Sequence, residues 1–426
     1  MGKEEQIYKK VLMISRSSWV NEQNSGSTYS SIFNNWPKDN IAHIFTQNKM
    51  PSNSICDKYF RITDRAVAKS IFKKNIYAGE KLELIEEKNT IKKQTKFIIW
   101  LKKIFPNVLK LFQELMWSLS KVNYRSMQEW INEFSPEILH ISGTNSLYIY
   151  RIAKKIISSH ELSYVIYISD DIYTMCQFNL SPFYWLHKFF LRFIVRKFVK
   201  NAKTVFVISE MQKKEYDKIF KKETVILRKS FKEDEKKFYY QKKERIKMIY
   251  MGNLKSGRWK ILLRLAEVIE AYKNEIYFEI YSNLDIDAEI KKKFSVFKNT
   301  VIENTVSSNL VLETLEKGDV LVHVESFDLS KRLATRLSFS AKIVDYLEAK
   351  RCILVIGHKS NASINFFKKE DGAIIINTIR KKMLFKKIEE IINNKNIVCE
   401  YAKKSSELGE KYFSLGMTEK TYLDKI

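Results

Sequence analysis

The chain has 426 residues, 45% apolar and 13% aromatic. It is too long for one ordinary core, since cores stop growing near ~250–300 residues, and too apolar for wholesale disorder. Its 75 Lys and Arg against 49 Asp and Glu leave a formal charge of +26, which invites an anionic partner: nucleic acid, an acidic lipid surface or a phosphorylated substrate. A skew toward Lys, Ile, Asn, Phe and Tyr, with 11 Gly and 5 Pro, is also what AT-rich coding produces, so charge alone does not choose among them. Cys56, Cys176, Cys352 and Cys399 form no close pair, which argues against a zinc site or disulfide framework and fits a reducing compartment.

The opening MGKEEQIYKK is polar, lacks an apolar signal region, and has Gln6 where a myristoylation motif wants Ser or Thr. No run of ~18 uncharged apolar residues predicts a membrane span, so the protein is expected to be soluble or peripheral. Apolar runs at 11–15 and 41–45 predict strands, separated by SSWVNEQNSGSTYSSIFNNWP with a helix over 27–36. In such a strand, loop, helix unit ligands sit beyond the carboxyl ends of strands, which puts Gly26 at a ligand edge; a plain turn glycine is the competing reading. From 91 to 123 the chain is apolar and basic by turns, with Pro106 breaking or starting a helix. Strands follow at 138–142 and 164–169. His140 and Asp171 thus fall near strand ends, where an acceptor is held. A core role competes for His140 and a helix cap for Asp171.

The segment FYWLHKFFLRFIVRKFVK, 183–200, places Lys188, Arg192, Arg196 and Lys200 four apart on one helical face. Such a helix suits an anionic membrane interface, or packs its apolar side on the core and leaves its basic side in water. A strand at 204–209, a helix at 210–220 and a strand at 224–227 close domain one, 1–228. Residues 229–245 are dominated by charge and read as a linker. Domain two, 246–426, restarts the alternation, with strands at 246–251, 276–281, 319–324, 352–356 and 373–376 and helices between. The last helix is placed to pack back on domain one. The expected class is α/β, two Rossmann-like domains with doubly wound parallel sheets facing a central cleft.

Three elements of domain two face that cleft on this reading. GNLKSGRWK follows its first strand, bringing Gly252 and Asn253 close to Arg258 and Lys260; a guanidinium grips phosphate oxygens bidentately and an ammonium adds a point charge. The amides of Ser340 and Ala341 start a helix, a ready anion site that Lys342 reinforces, and Asp345 one turn on suits a ribose diol. Glu325 ends the strand DVLVHVE and falls beside the sugar. No GxGxxG or Walker pattern occurs, so a dinucleotide or P-loop site is not expected.

GNLKSGR at 252–258, SEMQKKEY at 209–216 and FSAKIVDYLEAKRCILVIG at 339–357 resemble the motifs of GT-B glycosyltransferases of the retaining family 4 type, closest to bacterial surface or capsular polysaccharide enzymes. The resemblance implies transfer of a sugar from a nucleotide-sugar donor to a hydroxyl acceptor with retention, no cofactor and no metal. It makes Arg258 and Lys260 the diphosphate grip, Asp345 the ribose acid, and Phe339, Ser340 and Ala341 the diphosphate cradle. Two positions depart from the pattern: Leu337 stands where the first motif acid belongs, with Glu325 its candidate substitute, and Lys350 replaces a glycine. A saccharide or lipid-linked saccharide acceptor would bind domain one near Gly26, His140 and Asp171. A lipid-linked acceptor would account for the basic aromatic helices at the inner, anionic face of the cell membrane. A non-catalytic scaffold is the rival; nucleic acid is not expected, since no RNP, zinc-finger or helix-turn-helix signature occurs.

Overall fold

Strands that are apolar on both faces must be covered on both faces, and strands separated by helices pair in parallel. The protein, described here by a computed structural model for residues 7–21, 26–82, 104–232, 244–282, 287–394 and 396–426, meets both demands with two sheets. The first holds β1 (Val11–Ser15), β2 (Ile41–Phe45), β3 (Lys58–Arg61), β4 (Glu80–Leu82), β5 (Ile138–Ser142), β6 (Ser163–Ile168), β7 (Thr204–Val207) and β8 (Val225–Ile226). Their order is β4-β3-β2-β1-β5-β6-β7-β8, with β4 antiparallel to β3 and the other pairings parallel. The second sheet holds β9 (Ile246–Met251), β10 (Ile276–Ser282), β11 (Thr300–Asn304), β12 (Val320–Val324), β13 (Cys352–Ile356) and β14 (Ile374–Ile376). It is parallel, in the order β11-β10-β9-β12-β13-β14.

The two-domain Rossmann-like class expected from the alternation is therefore what the chain forms. In each sheet the winding reverses beside its first strand, between β1 and β5 and between β9 and β12. The crevice beyond the carboxyl ends of strands at such a switch point is where open α/β sheets bind ligands.

Local differences have local causes. The helix expected over 27–36 is Gly26–Ile32; Pro106 starts a helix, Pro106–Leu119, where its missing N–H costs nothing. Residues 91–103 of the apolar stretch and 233–243 of the charged linker lie outside the described residues. β3 and β11 were passed over in the sequence because they are short and only partly buried, so their apolar alternation is weak.

The chain end returns to domain one. The Leu415–Leu423 helix lies against the Gly26–Ile32 helix, and Tyr422 is fully buried among Phe33, Trp36 and Phe206. The amide of Leu415 donates to the carbonyl of Phe231 at 3.0 Å, and Lys9 Nζ donates to the carbonyl of Ile426 at 2.8 Å. Because this ring is part of the core, Tyr422→Ala should cost about 3–5 kcal/mol in denaturant unfolding, the usual range for a large aromatic truncated in a core. A loss below about 1 kcal/mol would mean the terminal helix merely rests on the surface.

Candidate functional site

The β9–β12 switch point gathers charge. Arg258 begins the Arg258–Ile269 helix, entered through Gly257 at φ +81°, a left-handed conformation that glycine adopts without strain. Its guanidinium reaches back across the strand ends: Nε donates to the carbonyl of Val324 at 3.1 Å, and the terminal nitrogens to Asn253 Oδ1 at 3.2 Å and Glu325 Oε2 at 3.5 Å. Glu325 is buried and shares a 3.1 Å hydrogen bond with His323 Nε2. Burial opposes its charge, yet the His323 hydrogen bond and the nearby positive charges, Arg258 and Lys342 among them, hold its pKa below the ordinary carboxylate value.

Lys342, on the first turn of the Ala341–Glu348 helix, completes the group. Its ammonium sits against Gly252, where a Cβ would lie 1.8 Å from Nζ. Burial, then the repulsion of Arg258, push its pKa down to about 8. Tyr250, Asn253, Arg258, His323, Ser340 and Lys342 together line a 120 Å³ pocket. Two cations face one carboxylate beside a helix N-terminus, a small cleft complementary to an anion such as a diphosphate. Among the described residues no three His, Cys, Asp or Glu side chains converge as metal ligands.

The other residues picked from the sequence spread further. Lys260 stands apart from the group: it is half exposed and pairs with Asp328 at 3.5 Å. The second cation is Lys342, because position 260 is two residues around the helix from Arg258. Ser340 is the N-cap, its amide donating to Ser363 Oγ at 3.4 Å, and Ala341 is the first helical residue. Asp345, one turn on, forms an ion pair with Lys229. His323 went unnoticed in the sequence; its signal is the HVE triplet, in which alternate strand residues share a face.

On the first sheet, His140 is a core histidine and not an acceptor contact. It is fully buried, its Nδ1 lies 2.8 Å from the Tyr422 hydroxyl, and burial lowers its pKa to about 3, so the ring is neutral. Gly26 is fixed by packing, since a Cβ there would lie 2.0 Å from the Val20 carbonyl oxygen. Asp171 caps its own loop, with Oδ1 accepting from the Thr174 amide at 2.9 Å and the Tyr216 hydroxyl at 3.2 Å. Asp171 also lines a 510 Å³ cavity beyond the ends of β5 and β6, walled by Gly143, Thr144, Asn145, Lys110, His187 and Lys188. Glu114 underlies that wall. It accepts from the amides of Leu147 and Tyr148 at 3.0 and 3.2 Å, capping the Leu147–His160 helix, and pairs with Lys110 at 3.1 Å.

No family model matches the sequence, and no curated protein does. Solved structures do match over nearly the whole chain. Anabaena HepE, in a complex with UDP and glucose, superposes with a TM-score of 0.62 at 8% identity, covering 98% of this chain and 99% of that one. Sucrose-phosphate synthase from Thermosynechococcus elongatus gives 0.60 at 9% identity over 97% of both chains. A glycosyltransferase from Rickettsia africae gives 0.55 at 11% identity over 97% of this chain and 96% of that one. The fold is GT-B.

Within this GT-B frame the position of the first motif acid has a different use. Leu337 is 1% exposed and belongs to the apolar core of domain one. Ser209, N-cap of the Glu210–Phe220 helix, donates its hydroxyl to the Leu337 carbonyl at 2.6 Å. On either side Arg336 pairs with Glu215 and approaches Asp171 at 4.0 Å, while Ser338 Oγ donates to Asp170 at 3.0 Å. The SEMQKKEY run is thus a brace between domains. Lys350, in place of glycine, holds a left-handed φ of +53° and pairs with Glu410 at 3.3 Å. Leu337→Glu, which restores the motif acid, should destabilise the protein by about 3–5 kcal/mol at pH 8, as an uncompensated buried charge does. The loss should shrink as pH falls, because burial raises the new carboxyl's pKa in the folded state; unchanged thermal unfolding at both pH 8 and pH 5 would count against the burial.

Proposed function

We propose that the protein is a glycosyltransferase that moves a sugar from a nucleotide-sugar donor to a hydroxyl acceptor. The observation that carries the reading is the Arg258–Lys342–Glu325 group beside the Ser340 helix start, at the β9–β12 switch point of a GT-B fold. In the reaction the bond from the sugar's anomeric carbon to the diphosphate breaks and its electron pair leaves with the diphosphate. The acceptor oxygen forms the new bond and gives up its proton. The chemical difficulty is charge growing on the leaving group. Arg258, Lys342 and the amides at the helix start are fixed cations and dipoles that stabilise it, the usual largest contribution to such a barrier. This reading makes the reaction independent of metal and cofactor.

Glu325, held by His323 and Arg258, is the acid placed to meet the donor sugar, and Asp345 is the candidate for the ribose once Lys229 yields it. The 510 Å³ cavity of domain one takes the acceptor. Retention of configuration, the family 4 type and a role in bacterial surface or capsular polysaccharide rest on the motif resemblance at 209–216, 252–258 and 339–357. UDP-sugars are the first donors to test, given the HepE complex with UDP and glucose. A second reading, a donor-binding subunit without turnover, is motivated by Leu337 in the place of the first motif acid.

Three measurements test these readings. Arg258→Ala should lower turnover of the matching nucleotide sugar by about 10²–10³-fold, the cost of removing one donor to developing oxyanion charge; unchanged turnover and donor affinity would remove Arg258 from the site. If donor stabilises the unaltered protein thermally but no acceptor yields product, the non-catalytic reading stands. Donor affinity should also be level below pH 7 and fall as pH rises through about 8, where Lys342 loses its proton. Lys342→Met should flatten that profile, and a profile identical in both proteins would show that Lys342 does not meet the phosphates.

A further inference from the structure

Single exposed apolar side chains are ordinary; a contiguous field of them marks an interaction surface. The Pro106–Leu119 and Pro182–Asn201 helices pack on each other, and each turns an apolar stripe to solvent. Val108, Phe112 and Leu115 lie along the first, four and three residues apart, and Phe189, Phe190 and Phe193 along the second. Phe189 is 69% exposed and Phe193 72%.

The first half of the second helix is turned opposite to what a solvated surface helix shows. The spacing of Lys188, Arg192, Arg196 and Lys200 marks a basic face, but Lys188 is buried and donates to the Ile172 carbonyl at 3.0 Å. Arg192 lies 4.3 Å over the Tyr173 ring and donates to that residue's carbonyl at 2.6 Å. Two of the five Lys and Arg on this helix are thus held by the protein, and phenylalanines are left in the open.

Charge around the field has one sign. The Pro106–Leu119, Leu147–His160 and Pro182–Asn201 helices, which contact one another, contain one acidic residue, Glu114, and it is buried. Arg151, Lys154, Lys155, Arg196, Lys197 and Lys200 on two of them are exposed. Among the described residues no helix is long and apolar enough to cross a membrane.

We propose that this face docks on an anionic lipid bilayer, with the phenylalanines in the acyl boundary and the arginines and lysines among the headgroups. Pro106, Asn107, Phe183 and Tyr184, at the starts of the same two helices, line the 510 Å³ cavity, so an acceptor enters that cavity from the bilayer surface. This last step rests on the glycosyltransferase reading; docking itself does not.

Full-length protein should float with phosphatidylcholine vesicles containing phosphatidylglycerol, float poorly with phosphatidylcholine alone, and be released by salt that shortens the screening length. Phe189→Ser combined with Phe193→Ser should weaken vesicle partitioning about tenfold or more, with melting temperature and UDP-glucose stabilisation unchanged. Should that variant not fold, quenching of the unaltered protein's tryptophan emission by brominated phosphatidylglycerol gives the same test through Trp185. Absent or salt-insensitive flotation overturns the proposal, as does a concentration-dependent dimer that the serine variant dissolves, which would make the face an interface between copies. Flotation without stabilisation by any nucleotide sugar would leave docking standing and remove the enzymatic reading instead.

Discussion

Leu337 leaves its own domain and is buried in the core of the other, and much of the molecule's geometry follows from that contact. Interfaces between two domains of one chain are commonly modest and mobile; here an apolar side chain anchors the seam, with a backbone carbonyl gripped by Ser209, an ion pair on one flank and a hydroxyl–carboxylate hydrogen bond on the other. Arg228 adds a second fastening at the exit from domain one. Its guanidinium lies 4.7, 5.2 and 5.6 Å from the rings of Phe339, Phe366 and Phe413, while its Nε donates to the Ile208 carbonyl at 2.8 Å. Burial outweighs the distant acids and lowers its pKa to about 10, so the cation remains charged at neutral pH. The exposed pair of Lys369 and Glu210 across the same seam adds little, because water screens it.

The anchored loop is also the lead into the Ala341–Glu348 helix. Three residues after Leu337 comes Ser340, the cap, and two further on Lys342, whose ammonium enters the Arg258 group. The seam therefore aims the helix N-terminus at the pocket, and an ionised side chain is not accommodated at position 337 while that position is an apolar anchor. What remains at the switch point is Glu325, kept ionised inside the protein by His323, Arg258 and Lys342. An ionised buried carboxylate is tolerable only with such partners. The site and the seam are thus two consequences of one loop path.

Net charge had little to say about where the site lies. A +26 chain scatters cations widely, and most exposed ones are screened. What distinguishes Arg258 and Lys342 is their partial removal from water beside strand ends and a helix start, where a fixed charge acts through a lower dielectric. The Pro182–Asn201 helix shows the complementary case, since two of its five Lys and Arg are spent inside the protein on backbone carbonyls and a tyrosine ring.

The sequence by itself determined the strands and their class. Apolar runs of strand length separated by helical segments leave parallel, doubly covered sheets as the outcome, and the short loop between β9 and the helix that follows brings Asn253 and Arg258 to a strand end; Ser340 and Lys342 reach theirs only through the seam. Strands such as β3 and β11, at or next to a sheet edge, escaped because half-buried residues carry a weak pattern. Tertiary structure alone decided which face meets what. His140 has a partner 282 residues away, Lys342 and not Lys260 stands beside Arg258, and Lys188 and Arg192 of the Pro182–Asn201 helix turned inward. Periodicity fixes which residues share a face of an element; what covers that face depends on contacts between segments remote in the chain, and no local pattern encodes those.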